Sequence, residues 1–596
     1  MKLFNKTASV LLAISMTAML TTTALATNTD AQNLTEPTDD SASSTYVDIS
    51  THEFTVYQVF SATQDDEDDA LLCDIEWGNG VDVPLLLSKL GSIEAFDALK
   101  GEDGVIPADL PATEVAAVLE KILEVDGDDS AAVRAFAALA HQCISGTGTK
   151  IGSSTTIDGA VVDGSALDPG YYLVVDITST NGQNTAKNLS LLQATRDTSM
   201  NITSKTAIPM VEKKVKEESF DAANQTGSTG YTLEQGYNDV ADYDIGDDVN
   251  FMLIGTMPTT LADYSTYKYV FHDTLSSGLT YNKDVEVFLD DDNDPTIQYQ
   301  INPDSYSVSA SEFVDAESEN TIKISFTDVK NIKDMNGNAL TVTADSKIIA
   351  KYTAKLNNNA KIGLPGNPNT VYLQYSNNPN YVGDGSPDDD DNTGDTPEDK
   401  VIVFTYELDV TKIDGEDKSK KKLDGAEFAL SKKVNGTDVY YKNVNGAVTW
   451  VSAESDATKL TSVNGEFKVV GLEDGTYYLK EIKAPVGYNM LKKVITVTVD
   501  ATTVNNQMWI DFVPAKALTA LSINVFDENN SATVDETSTN AEENAKSGVV
   551  KMNVANTKGS LLPETGGVGT VLIYTIGSIL VVGSLVLLVT KKRMDK

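Results

Sequence analysis

Tyr269-Val270-Phe271-His272-Asp273-Thr274-Leu275 alternates like a β-strand, and its inward face reads Tyr269, Phe271, Asp273, Leu275. An acid stands where the alternation demands an apolar residue. The same anomaly recurs on either side. In Val211-Glu212-Lys213-Lys214-Val215 the inward face is Val211, Lys213, Val215, and in Leu373-Gln374-Tyr375-Ser376-Asn377 it is Leu373, Tyr375, Asn377. A second set follows. Leu408, Val410 and Lys412 alternate inward, then Tyr477, Leu479 and Glu481, then Val554 and Asn556. A lysine, an acid and an asparagine in one core are costly unless they meet. Together their chemistry is coherent. An apolar core destabilises the ammonium, which leaves a nucleophilic amine, and pushes the acid toward its neutral form. The acid then donates a hydrogen bond to the asparagine carbonyl and polarises it. Amine attack on that carbon expels ammonia and leaves an amide cross-link. Folding supplies the proximity, and no cofactor is needed. The alternative is a scatter of surface charges on half-exposed strands. Two sets in the same first-strand, middle-strand, last-strand order favour the cross-link.

Outward from these strands the pattern stays β. From Ile208 onward, short alternating segments are separated by Gly, Asn and Asp turns, as in β-sandwiches. The stretch before it mixes strands with two helices. Val115, Val118, Leu119 and Ile122 share one helical face, and so do Val133, Phe136, Ala140 and Cys143, after the capping candidate Asp129. The chain therefore reads as mainly β, with tandem Ig-like β-sandwich domains behind an α+β first domain. The expected domains are 45–205, 206–400 and 401–558, with the acidic stretch 383–400 separating the last two. Residues 27–44, rich in Thr, Asp and Ser, are expected to be disordered. Cys73 and Cys143 are the only 2 cysteines. They read as a pair or as two small apolar core residues.

The ends carry addresses. Lys2 and Lys6 precede an apolar stretch from Ala8 to Leu20, and Ala24-Leu25-Ala26 is a small-x-small cleavage site. Residues 1–26 read as a secretory signal peptide. At the other end, Leu562-Pro563-Glu564-Thr565-Gly566 precedes an uncharged, mostly apolar run, 568–590, and a basic tail, Lys591-Lys592-Arg593-Met594-Asp595-Lys596. The run is long enough to cross a bilayer as a helix, and the tail holds its far end inside the cell. The order of pentapeptide, helix and basic tail over 562–596 resembles the LPXTG sorting signal of Gram-positive surface proteins. There a membrane transpeptidase, sortase, cuts between Thr and Gly and passes the acyl group, here Thr565, to an amine. The alternative is a permanent single-span anchor.

Composition excludes other classes. A formal charge of −43 argues against nucleic acid as a partner. With 3 histidines, no Cys/His metal spacing and no Ser/His/Asp grouping, hydrolase chemistry has no visible support. The acidic runs Asp290-Asp291-Asp292 with Asp294, and 388–391, lack the spaced ligands and turn glycine of a calcium loop. They read as solvated loops, and no metal site is expected.

Longer stretches resemble a family. Ile208-Pro209-Met210-Val211-Glu212-Lys213-Lys214-Val215, Phe271 through Leu279 and Tyr375-Ser376-Asn377-Asn378-Pro379 resemble the isopeptide-forming domain of Gram-positive fimbrial proteins. Leu423-Asp424-Gly425-Ala426-Glu427-Phe428 and Gly475 through Tyr488 are similar to the collagen-adhesin B-type (Cna B) module. Tyr57-Gln58-Val59-Phe60, Ile75-Glu76-Trp77-Gly78 and Pro169-Gly170-Tyr171-Tyr172-Leu173 resemble the N-terminal domain of the same pilins. The resemblance implies Cna-type sandwiches in an elongated array and the major, or shaft, subunit of a sortase-assembled pilus. It implies two isopeptide bonds, Lys213–Asn377 promoted by Asp273 and Lys412–Asn556 promoted by Glu481. It implies as partners the pilin-type and housekeeping sortases, other copies of the chain and peptidoglycan, with minor tip and base pilins and host ligands left unnamed. The product is secreted, anchored to the cell wall and exposed on the cell surface. Shaft pilins of this type often carry a Tyr-Pro-Lys-Asn acceptor motif at the end of the first domain. Here the stretch reads Asn201-Ile202-Thr203-Ser204-Lys205-Thr206, and Lys205 stands in the equivalent place, either as the polymerisation acceptor or as a solvated linker lysine. The alternative function is a monomeric, peptidoglycan-anchored adhesin, which needs Thr565 but no acceptor lysine.

Overall fold

The computed structural model describes residues 47–65, 72–126, 130–152, 156–157, 161–162, 165–180, 182–195, 200–202, 206–217, 236–290, 298–311, 320–379, 392–504, 517–528, 534–536, 539–559 and 568–594. The signal peptide, 27–44, Lys205, most of both acidic runs and the pentapeptide 562–566 lie outside them.

The first domain is α+β, as expected. Its sheet is ordered Leu72–Trp77, Phe54–Gln64, Gly170–Asp176, Leu189–Ala194, with Thr149–Gly152 also paired to Phe54–Gln64. Alternation divides the third of these strands between two cores. Leu173 and Val175 face the helices, while Tyr172 and Val174 join the apolar cluster that continues into the β domains. The helices Ala112–Asp126 and Ala131–Gln142 bury the faces read from the sequence, including Val115, Leu119, Phe136 and Ala140. The second helix is capped by Ser130, whose hydroxyl accepts from Val133 N at 3.4 Å. Asp129 lies outside the described residues. Cys143 is buried, but Cys73 is half-exposed and neither is in a disulfide, so the core reading holds for Cys143 alone.

The second domain is a sandwich of two seven-stranded sheets. One contains Val211–Lys216, Asp248–Thr256 and Lys347–Leu356 as successive neighbours, and the other contains Asp399–Phe404, Asn367–Ser376, Tyr269–Leu275 and Asn320–Phe326. The third domain packs a four-stranded sheet against a seven-stranded one. Its first and last strands, Tyr406–Asp414 and Val549–Asn556, are parallel neighbours.

The acidic stretch does not separate these domains. It connects Asn367–Ser376 to Thr393–Asp395 and Asp399–Phe404, and both of those strands pair back onto Asn367–Ser376. The described part of the stretch therefore belongs to the second domain, and the junction with the third falls at Thr405, which is fully buried. Val401 through Phe404, apolar and buried at every position, offers no turn residue to mark its place in the sequence. Across the junction, Gly363 (φ 61°) and Gly548 (φ 69°) meet backbone to backbone, and a Cβ on Gly363 would lie 2.3 Å from Gly548 N. Only glycine fits either position.

The helix Val568–Met594 includes an apolar span, Leu572–Arg593, of mean hydropathy 2.5. At 1.5 Å per residue this is about 33 Å, enough to cross a bilayer. Lys591, Lys592 and Arg593 close it.

Candidate cross-linking sites

In the second domain, Lys213 and Tyr352 project from one sheet and Asp273 and Asn369 from the other, and the four meet between the layers. Lys213 Nζ lies 2.7 and 2.8 Å from the two Asp273 oxygens and 3.3 Å from the Tyr352 hydroxyl. Phe251 and Tyr352 present their rings to the amine at 5.3 and 5.5 Å. The Tyr352 hydroxyl donates to Asp273 Oδ2 at 2.6 Å and accepts from Asn369 Nδ2 at 2.7 Å. Asn369 Oδ1 is buried without a partner. Lys213, Asp273 and Asn369 are fully inaccessible. Burial drives the Lys213 amine down from the usual lysine range, against the opposing charge of Asp273. It likewise drives the Asp273 carboxyl up, against Lys213. Both partners are pushed toward their neutral forms, as a nucleophilic amine and a proton-donating acid require. The backbone beneath is held by Asp399, whose Oδ2 accepts from Lys213 N at 2.6 Å.

Asn377, the asparagine expected here, is elsewhere. The Asp273 strand and the Asn367–Ser376 strand run antiparallel, with Asp273 opposite Val371 and Leu275 opposite Asn369. Asn377 is six positions beyond Val371, about 20 Å along the strand. Its side chain instead donates to Thr180 O of the first domain at 3.2 Å, and its carbonyl accepts from Lys187 N at 2.7 Å. Asn377 fastens the first domain to the second. Its neighbour Tyr375 does the same through a 3.0 Å bond to Asn184 Oδ1. Asn369 is the residue the sequence reading missed, and the signal was present. Asn369, Val371, Leu373, Tyr375 and Asn377 all share one face, and Asp273, near the end of its strand, must meet the beginning of an antiparallel neighbour.

In the third domain the expected residues do converge. Lys412 and Asn556 lie on the parallel first and last strands, and Glu481 reaches them from the opposite sheet. Lys412 Nζ donates to Asn556 Oδ1 and, at 3.1 Å, to Val554 O. Asn556 Nδ2 donates to Glu481 Oε1 at 2.9 Å and Oε2 at 3.1 Å, and to Asn489 O at 2.9 Å. Glu481 lies 3.7 Å from the amine and is steadied by Leu491 N at 2.7 Å. Phe428 covers the amine at 5.7 Å. Burial pulls the Lys412 amine down to about 8, with Glu481 opposing.

One further polar group was not foreseen. His52 joins Asp176 (Nδ1 to Oδ2, 2.6 Å) and Thr185 (Nε2 to Oγ1, 3.0 Å). Asp176 also accepts from Thr178 N and Asn188 N, both at 3.0 Å. A Cβ on Gly394 of the second domain would meet Thr185 O at 3.0 Å. The group anchors the turn that carries Thr180, Asn184 and Lys187 to the second domain. Among the described residues no cluster of three or more His, Cys, Asp or Glu suits a metal ion.

Residues 407–511 match the family model of the SpaA prealbumin-like fold domain. The trypsin-resistant surface T6 protein of Streptococcus pyogenes serotype M6 is 23% identical over 528 residues, covering 81% of this chain and 87% of that protein. Among solved structures, the three-domain T6 backbone pilin of serotype M6 Streptococcus pyogenes is 17% identical, with a TM-score of 0.40, over 86% of this chain and 97% of that one. The pilus 2b backbone protein of group B streptococcus is 24% identical, with a TM-score of 0.36, over 54% of this chain and 97% of that one. The domain match and the relative spanning most of the chain bear out the resemblance to Gram-positive pilins.

Proposed function

We propose that this chain is the structural shaft subunit of a covalently polymerised cell-surface pilus. In this reading two self-catalysed isopeptide bonds, Lys213–Asn369 and Lys412–Asn556, stabilise it. Sortase joins Thr565 of one copy to a lysine of the next, with Lys205 the candidate acceptor. The observation that carries the reading is the pair of buried lysine–acid–asparagine clusters, one in each β domain. A buried lysine left unreacted is a standing cost to stability. An amide bond removes the charge and leaves a neutral link.

The chemistry closes without a cofactor. The lysine lone pair attacks the asparagine Cγ, one amine proton passes to the acid, and the carboxamide nitrogen takes a proton and leaves as ammonia. The acid ends as it began. The similarity to a surface protein described as trypsin-resistant supports the reading, because covalent closure of each domain limits the unfolding that proteases need. The C-terminal helix supports membrane retention before transfer. The test is an intact mass of the ectodomain together with a blot of boiled wall extracts. Loss of two ammonias and a high-mass ladder are expected. A mass equal to the sequence mass refutes the bonds. A single band refutes the shaft and leaves an anchored adhesin.

A further inference from the structure

The two clusters differ in how the acid reaches the leaving group. In the third domain Glu481 touches the carboxamide nitrogen directly, at 2.9 and 3.1 Å. In the second domain the acid is an aspartate, one methylene shorter, and it is engaged with the amine through both oxygens. The Tyr352 hydroxyl fills the gap, 2.6 Å from Asp273 Oδ2 and 2.7 Å from Asn369 Nδ2.

We infer that Tyr352 is a catalytic residue of the Lys213–Asn369 reaction, the relay that carries the acid's proton to the departing nitrogen. The inference rests on the cross-linking reading above. In the starting state Asp273 is protonated and Lys213 neutral. Both hydrogen bonds of the phenol reverse for the reaction, the protonated Asp273 donating to the Tyr352 oxygen and the hydroxyl turning its own hydrogen to Nδ2. As Nζ bonds to Cγ of Asn369, the Asp273 proton passes to the Tyr352 oxygen and the phenol's proton passes to Nδ2. The C–Nδ2 bond breaks and ammonia leaves. The Asp273 carboxylate takes the proton shed by Nζ, so acid and phenol return to their starting forms. The phenol never has to ionise. That matters because burial holds its acidity far below that of an ordinary tyrosine. The division of labour follows the geometry: Asp273 faces the nucleophile and Tyr352 faces the leaving group. Lys347–Leu356, which carries Tyr352, is a central strand paired along nine positions to Asp248–Thr256, so the hydroxyl is held rigidly.

The test uses the full chain made by cell-free translation. Mass spectrometry follows the Lys213–Asn369 cross-linked peptide with time, and the Lys412–Asn556 peptide serves as an internal clock. Tyr352→Phe keeps the ring and removes only the hydroxyl. It is expected to slow the Lys213–Asn369 bond by roughly 10²-fold, the usual yield of one positioned proton-transfer group, and to leave the other bond unchanged. Adding Asp273→Glu to Tyr352→Phe gives the acid the reach that Glu481 has, and is expected to recover at least roughly tenfold of the lost rate. A packing role would not be repaired that way. Wild-type kinetics in Tyr352→Phe, or slowing that Asp273→Glu does not relieve, overturns the relay while the cross-link stands. Absence of the Lys213–Asn369 peptide from the wild-type chain overturns the cross-link and the relay with it.

Discussion

Replacing Asn369 by alanine is the sharpest test of the second-domain site, because Asn377 supplies the control. Lys213 and Asn369 bracket most of the domain, so an amide between them closes a loop of roughly 150 residues. By chain-entropy reasoning such a closure stabilises by about 5 kcal/mol. For a domain of this size each kcal/mol moves the midpoint by about 2–4 °C, so Asn369→Ala is expected to lower the unfolding temperature by about 10–20 °C. It also abolishes exactly one of two ammonia losses in the intact mass. Asn377→Ala removes a single 3.2 Å bond from Nδ2 to Thr180 O. It is expected to cost about 1 kcal/mol and leave the mass deficit at two ammonias. Calorimetry and intact-mass spectrometry on the two variants read both quantities. An Asn369→Ala chain that still loses two ammonias, or an Asn377→Ala chain that loses only one, refutes the placement of the acceptor.

Asn556→Ala leaves Lys412 unreacted, with its folded-state pKa near 8 against 10.5 unfolded. The folded state then binds fewer protons than the unfolded state between these values, so stability rises with pH from about 8 to 10.5, by about 3 kcal/mol. Urea titrations referenced to Lys412→Met in the same background measure it, and a flat difference contradicts the assigned burial. Lys205→Arg is expected to abolish the polymer ladder and leave wall-anchored monomer, since a guanidinium stays protonated and cannot attack a thioester. Lys214→Arg, whose ammonium is paired to Glu212 and Asp239, is expected to leave the ladder intact. Pulled end to end in a force spectrometer, the second domain is expected to release at most about 120 Å before the covalent link holds. A release limited to about 90 Å returns the acceptor to Asn377.

The legible parts of this molecule were those where one local period speaks alone. Strand alternation revealed Lys213, Asp273, Lys412, Glu481 and Asn556, each buried as the pattern demanded. The helices of the first domain followed from their 3.6-residue faces. What failed were features set by pairing between distant strands. Asn369 and Asn377 occupy equivalent faces, and only the antiparallel register against Asp273 tells them apart. Tyr352 looks like any core aromatic until its hydroxyl is placed between an acid and an amide. The domain boundary slipped because composition marked the acidic stretch, while the junction at Thr405 directly follows the buried apolar run Val401–Phe404, with no turn residue to mark it. His52, Asp176 and Thr185 are more than a hundred residues apart at the extremes, so no local pattern joins them.

On the proposed reading, the position of the two bonds decides how each β domain would bear load. In the third domain, force enters at Tyr406, crosses from Lys412 to Asn556 and leaves with the chain, because the two strands are parallel neighbours with Asp414 opposite Asn556. Nearly all of that domain would lie inside the closed loop and be shielded. In the second domain, force enters near Val211 and crosses from Lys213 to Asn369, but the chain must still travel from Asn369 to Phe404 before it reaches the third. That segment lies outside the closed loop. It includes the acidic loop and the strand Asp399–Phe404, which is held by hydrogen bonds to Val240–Asp242 and Asn367–Val371. Those bonds are the reversible element in an otherwise covalent path. The parallel pairing of Val240–Asp242 with Ile402–Phe404 ties the exit strand to residues inside the closed loop, so the two must slide past one another before the segment extends. A shaft built from such units would yield by a bounded distance at each second domain and then stiffen, with the third domains extending hardly at all.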